Sequence, residues 1–137
     1  MDAPDQRQNP QPEPATHPLK SRGGVTRLFK AWGYSLRGLR AALKHEAAFR
    51  QEVALGLPLL VLGLVYAPGR WQALALVVSI LQVWLVELLN SAVEALADAQ
   101  SIEFNPLLGR AKDLGSAAVM VSLGIAGATW LAVFLPL

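Results

Sequence analysis

Long apolar stretches alternate with short charged ones over most of this chain. Residues 53–67 are apolar for about fifteen positions, and need residues 49–52 as a lower turn to approach the roughly 20 helical residues of a membrane crossing. Residues 73–86 form a second stretch. It runs without a break into Glu87-Leu88-Leu89-Asn90-Ser91-Ala92-Val93-Glu94-Ala95-Leu96-Ala97-Asp98. Residues 114–137 carry no charge and give the clearest span. The pattern predicts spanning helices over roughly 49–67, 71–98 and 112–135. Pro68-Gly69-Arg70 reads as a tight turn, and residues 99–110, with Asn105-Pro106, as the second connection.

At about 100° per residue, Glu87, Asn90, Glu94 and Asp98 fall on one narrow stripe of the middle helix. A helix that reads as membrane-spanning therefore carries three carboxylates and an amide along one side. Ionisable groups near hydrocarbon cost roughly 2.5 kcal/mol or more each, and usually mark a functional site. Aligned carboxylates suit a hard, oxygen-ligated cation such as Mg²⁺. One chain offers three spans, which can hardly screen this stripe from lipid, so self-association is expected. Small residues such as Ser116, Ala117, Ala118, Gly124, Ala126, Gly127 and Ala128 allow the close helix contact it needs.

The region before the first span has a different pattern. Leu28, Phe29, Trp32, Leu36, Leu39 and Leu43 cluster on one side of a helix over about 25–44, with Lys30, Arg37, Arg40 and Lys44 on the other. This is the pattern of an amphipathic helix lying on the membrane surface, basic face toward anionic headgroups. Residues 1–24 hold Pro4, Pro10, Pro12, Pro14 and Pro18 among few apolar side chains, the composition of a disordered tail. No cleavable leader is evident at the start of the chain.

Composition supports a membrane protein: of 137 residues, 53% are hydrophobic and 16% charged. There are no cysteines, which excludes disulfide, zinc-thiolate and thiol-nucleophile chemistry. The net charge of +2 matters less than its distribution, since nine of the twelve basic residues precede Val53. That excess puts the N-terminus and the 99–112 loop in the cytoplasm, and the C-terminus outside.

The chemistry-bearing residues gather at the cytoplasmic ends of the spans. Glu46 and Arg50 are spaced for a helix-surface ion pair, and Glu52 abuts the apolar run and needs a partner or a wet cleft. Gly109-Arg110-Ala111-Lys112-Asp113 immediately precedes the last span. A Lys beside the free N–H groups of a helix N-terminus suits phosphate, although the same residues also serve as a topology signal. Neither a P-loop nor a protein-kinase glycine loop is present. His17 falls in the tail and His45 has no nucleophile beside it, so no Ser-His-Asp set can be built. Carboxylates, one Lys and several Arg remain. That inventory suits phosphoryl transfer, which needs metal, cationic clamps and a base. It also suits a cation pathway, as in a small channel or transporter. Such a pathway would want its acidic group near the bilayer midplane. A purely structural membrane protein leaves the costly carboxylates unexplained.

Glu46-Ala-Ala-Phe-Arg-Gln-Glu52, Glu87-Leu-Leu-Asn-Ser-Ala-Val-Glu94 and Gly109-Arg-Ala-Lys-Asp-Leu-Gly-Ser-Ala-Ala118 closely resemble the prokaryotic diacylglycerol kinases, as do Lys30-Ala-Trp-Gly-Tyr-Ser35 and Gly38-Leu-Arg-Ala-Ala42. The resemblance covers residues 24–137. It implies an all-α membrane protein with three transmembrane helices and an N-terminal amphipathic surface helix, assembled as a homotrimeric bundle in the bacterial inner membrane. It implies Mg²⁺-dependent transfer of the ATP γ-phosphate to diacylglycerol, giving phosphatidic acid, with no nucleic-acid partner. A related branch phosphorylates undecaprenol. Glu87 matches the general base, and Glu46 and Glu94 match the Mg²⁺ ligands that also bound the nucleotide. Arg27, Tyr34, Glu103, Lys112 and Asp113 match further nucleotide contacts. Arg27, Ala31, Tyr34, Ser35, Arg40, Ala48, Phe49, Arg50, Gln51, Glu52, Glu87, Ser116 and Trp130 match positions lining the lipid substrate. Asn90 and Asp98 match supporting polar positions. The chain departs from the family after Glu103, where Phe104-Asn105 replaces a Tyr-His type of pair. It also carries the expectation of sites shared between protomers.

Overall fold

The computed structural model describes residues 24–100 and 105–135, so the Pro-rich tail, Glu103 and Phe104 lie outside the described part. Four helices make up nearly all of it: α1 (Gly24–His45), α2 (Ala47–Tyr66), α3 (Arg70–Gln100) and α4 (Pro106–Phe134). No strand occurs among the described residues. The last three helices are each long and apolar enough to cross a membrane. The all-α membrane architecture expected from the sequence, three spans preceded by an amphipathic helix, is the one found.

The chain divides into two units, one ending at Ser35 and one beginning at Leu36. The described part of the first is the opening half of α1. There Leu28, Phe29 and Trp32 lie exposed, and the Ser35 hydroxyl donates to the Ala31 carbonyl at 3.1 Å.

In the second unit α3 is the central helix, packed most extensively against α4 and less so against α2. Its buried positions are Leu76, Ser79, Ile80, Val83, Glu87, Asn90 and Ala97. These recur at intervals of three, four and seven, the spacing of a seam that faces neighbouring helices. α2 answers with Phe49, Gly56 and Gly63, one buried residue every seventh position. Gly56 is required by proximity, since a β-carbon there would come within 2.8 Å of the Trp84 ring and 3.0 Å of Ile80. Without a side chain, α2 can lie directly on α3. The buried Ser79 and Ser122 hydroxyls donate to their own helices, to the Leu76 carbonyl at 2.7 Å and the Val119 carbonyl at 2.8 Å. These two hydroxyls are thus satisfied within an apolar setting, whereas the buried Ser91 hydroxyl of α3 has no partner among the described residues.

Two breaks set where the polar residues project. Glu46 is the single non-helical residue between α1 and α2, with extended dihedrals of φ −96° and ψ 112°. Its side chain makes no capping bond and remains available. At the other break Asn105 caps α4, its side-chain oxygen accepting from the Leu107 N–H at 2.9 Å, with Pro106 in the first turn. α3 has 31 residues, about 46 Å at 1.5 Å each, so it outreaches a hydrocarbon layer of about 30 Å by roughly three turns.

Candidate active site

The buried seam of α3 stays buried when it turns polar. Glu87 is only 4% exposed, as enclosed as Val83 one turn before it. Glu94 and Glu46 both lie close enough to interact electrostatically with Glu87. Glu52 interacts with Glu87 in the same way. Four carboxylates thus converge from three places: the α1–α2 elbow, the first turns of α2, and α3. Glu52 carries a buried oxygen with no hydrogen-bond partner among the described residues. Such an atom is costly unless a donor reaches it from outside.

One turn beyond Glu87, the Asn90 amide donates to the Glu94 carboxylate, Nδ2 to Oε1, at 3.1 Å. This bond fixes Glu94 and orients Asn90, whose own oxygen is buried and has no partner among the described residues. That oxygen lies against α4 at Gly115, where a β-carbon would collide with it. A turn further on, the Lys112 ammonium of α4 meets the Asp98 carboxylate at 3.0 Å.

The start of α4 differs from the sequence-based expectation. Because Asn105 caps the helix and Pro106 opens it, Lys112 and Asp113 stand well inside the helix, not at its N-terminus. Their backbone N–H groups are therefore not free for phosphate, and at this level the Lys112 side chain is paired with Asp98. Arg50 also differs. Its Nη1 donates back across the elbow to the Lys44 carbonyl at 3.2 Å, instead of simply pairing with Glu46.

An apolar cleft of about 420 Å³ lies among α1, α2 and α3. Leu39 and Leu43 of α1, Phe49 and Val53 of α2, and Trp84 and Leu88 of α3 line it. Phe49 is buried, whereas Arg40, Ala48, Arg50, Gln51, Asp113 and Ser116 are exposed on the single chain. Trp130 is set apart from this group. A β-carbon on Gly63 would touch both Trp130 and Leu76, at 3.5 and 3.2 Å. Leu76 precedes Glu87 by eleven residues, about 16 Å along α3. Trp130 lines a second apolar cavity, of about 370 Å³, with Leu59, Ile80 and Leu123. Arg27, Ala31, Tyr34 and Ser35 belong to the first unit, on α1.

The family profile described as prokaryotic diacylglycerol kinase matches residues 33–134, nearly all of the described part. The chain belongs to this family. A diacylglycerol kinase of Escherichia coli K12 is 46% identical over 107 residues, covering 78% of this chain and 88% of that one. One from Pseudomonas aeruginosa is 42% identical over 118 residues, 86% and 96% of the two chains. One from Helicobacter pylori is 41% identical over 106 residues, 77% and 82%. The protein is accordingly a lipid kinase embedded in a membrane.

A kinase of this family implies a divalent metal, and the donor set can be tested against one. Among the described residues no three Asp, Glu, His or Cys side chains gather into a metal cage. Mg²⁺ seldom uses one. It is held by one or two carboxylates, with substrate phosphates and water completing the octahedron. Glu46, unengaged at its elbow, and Glu94, held by Asn90, provide two hard oxygen donors beside Glu87, so the residues fit such an ion. The sequence reading gave no role to Gly115 or Gly56. A glycine inside an apolar helix leaves no mark in the periodicity, and its close neighbours on another helix become visible only in the fold.

Proposed function

We propose that the kinase transfers the γ-phosphoryl group of ATP to the free hydroxyl of diacylglycerol, yielding phosphatidic acid and ADP at the cytoplasmic face of the bacterial inner membrane. The observation that carries this reading is the buried Glu87 with Glu46, Glu52 and Glu94 drawn around it. Glu87 stands seventeen residues into α3, about 25 Å from its start, which is near the edge of a layer about 30 Å thick. A base at that depth meets a glycerol hydroxyl and a soluble nucleotide together. A cation pathway would want its carboxylate nearer the midplane.

In this reading the apolar cleft takes an acyl chain, and the lipid hydroxyl donates to Glu87, with the bare oxygen of Glu52 close by. Glu87 accepts the hydroxyl proton as the lipid oxygen bonds to the γ-phosphorus and the bond to the β-phosphate bridging oxygen breaks. Glu46 and Glu94 would hold Mg²⁺, which when bound neutralises charge on the β- and γ-phosphates. Lys112, together with Asp113, Arg27, Tyr34 and Glu103, faces the nucleotide. Arg40, Ala48, Phe49, Arg50, Gln51, Ala31, Ser35, Ser116 and Trp130 contact the lipid. Because Trp130 sits some three turns from Glu87 along α3, its lipid contact belongs to a part of the acyl chain remote from the reacting hydroxyl, or to a site completed by a neighbouring protomer.

We further propose a homotrimer with sites shared between protomers. The large exposed apolar side chains of α2, α3 and α4 support it, while Glu87 and Asn90 are already covered within one chain, contrary to the expectation that three spans could hardly screen them. Two experiments test these readings. Transfer of ³²P from ATP to defined lipids in mixed micelles should label diacylglycerol in preference to undecaprenol. Labelling of undecaprenol alone, or of no lipid, would overturn the assignment. For the shared site, Glu87→Gln and Asp113→Asn chains, each inactive alone, are mixed after mild dissociation. Recovery of a predictable fraction of wild-type turnover is expected. No recovery at any ratio, with exchange confirmed by cross-linking, would place both residues in one chain's site and leave the kinase standing.

A further inference from the structure

We propose that Gly115 is a positioning residue of the kinase: its lack of a side chain makes the room in which the Asn90 amide can hold the Glu94 carboxylate. The proposal rests on the reading of Glu94 as a metal-binding group. Three observations carry it. Asn90 Nδ2 donates to Glu94 Oε1 at 3.1 Å, which fixes the amide with its nitrogen toward the carboxylate. The opposite orientation would aim oxygen at oxygen. Asn90 Oδ1 must then point away from Glu94, and it is buried without a partner among the described residues. The space it occupies is the space a β-carbon on Gly115 would fill. Such a carbon would collide with Oδ1, lie 3.3 Å from Asn90 Cγ, and sit at an ordinary 3.8 Å from Asn90 Cα.

The last distance identifies what must yield. The two backbones tolerate a methyl group at position 115, and only the amide does not. Relief comes when Asn90 rotates, and rotation breaks its bond to Glu94. Gly115 thus acts on the carboxylate through Asn90, without touching substrate. Partners that orient a metal ligand in this way are commonly worth 10- to 100-fold in metal affinity or activity.

The test is a double-mutant cycle of wild type, Gly115→Ala, Asn90→Ala and the pair. Two quantities are read in micelles. One is the Mg²⁺ concentration giving half-maximal transfer. The other is Mn²⁺ binding by electron paramagnetic resonance with a non-hydrolysable ATP analogue, which needs no turnover. Gly115→Ala should raise the Mg²⁺ requirement and weaken Mn²⁺ binding about tenfold, with the diacylglycerol KM unchanged. Asn90→Ala should do the same, and the pair should be no worse than Asn90→Ala alone. Unchanged metal binding in Gly115→Ala, or penalties that multiply in the pair, would overturn the proposal. Should Gly115→Ala alone fail to assemble, the pair decides. With the amide gone the methyl group fits, so the pair should be recovered and behave as Asn90→Ala. Failure of the pair to assemble would make Gly115 a backbone-packing residue and end the proposal. A wild type that neither transfers phosphate nor binds Mn²⁺ removes the kinase reading and this one together.

Discussion

The N-terminal and C-terminal halves of α3 share one buried seam but fill it with opposite chemistry. Leu76, Ile80 and Val83 occupy the first half, facing Gly56 and Gly63 of α2, and the hydroxyl of Ser79 is bonded within its own helix. Glu87 and Asn90, and then half-buried Glu94, continue at the same spacing through the second half. There the bonding is incomplete, with bare oxygens on Asn90 and Ser91, and on Glu52 of α2. The helix period decides which positions face inward. Residue type then decides whether burial contributes stability or holds a reactive group at a cost. Stability and turnover should therefore respond separately to substitutions in the two halves.

The sharpest way to break this division is Glu87→Gln, which keeps shape and hydrogen bonding but cannot accept a proton. Turnover should drop by roughly 10² to 10⁴, the scale of a general base, while the protein inserts and assembles normally. Near-normal kcat would remove Glu87 from the role. Leu76→Ala tests the other half. Leu76 is 1% exposed, and truncation should cost about 2–5 kcal/mol in a reversible unfolding titration, with the kcat of the folded fraction unchanged. A smaller, purely kinetic effect would show that the halves are not separable.

Milder effects are expected further along the seam. Glu46→Gln or Glu94→Gln should raise the Mg²⁺ needed for half-maximal activity at least tenfold, about 1.4 kcal/mol, with little change in unfolding midpoint. An unchanged titration in both variants would make their acidity structural. Asp98→Asn should have the smallest effect. The Asp98–Lys112 pair is exposed, and such pairs contribute about 0–1 kcal/mol to stability. Its loss frees Lys112 from α3, so the ATP KM should rise a few-fold at constant kcat, less so at high salt.

Much of this was legible in the residues. The three spans and the Glu87–Asp98 stripe follow from periodicity, because a hydrophobic helix interrupted on one face has few ways to fold. The start of α4 was less legible. Asn105-Pro106 reads equally as a turn or as a cap with proline in the first turn, and only the Asn105 bond to Leu107 separates them. The Glu46–Arg50 spacing suggested a pair, but the helix breaks at Glu46 and Arg50 reaches the Lys44 carbonyl. The distance of Trp130 from Glu87 depends on how α4 runs beside α3, which a one-dimensional pattern does not contain.

The length of α3 has a consequence for where the enzyme can work. Its 31 residues form one unbroken rod, and Glu87 is fixed at a set height on it. The lipid hydroxyl has no such fixed height, since it moves with the thickness of the host bilayer. The rod therefore acts as a depth gauge. In a thicker bilayer the carboxylate stays behind the headgroups and in a thinner one it stands clear of them, so turnover should peak at one host acyl length and decline on both sides.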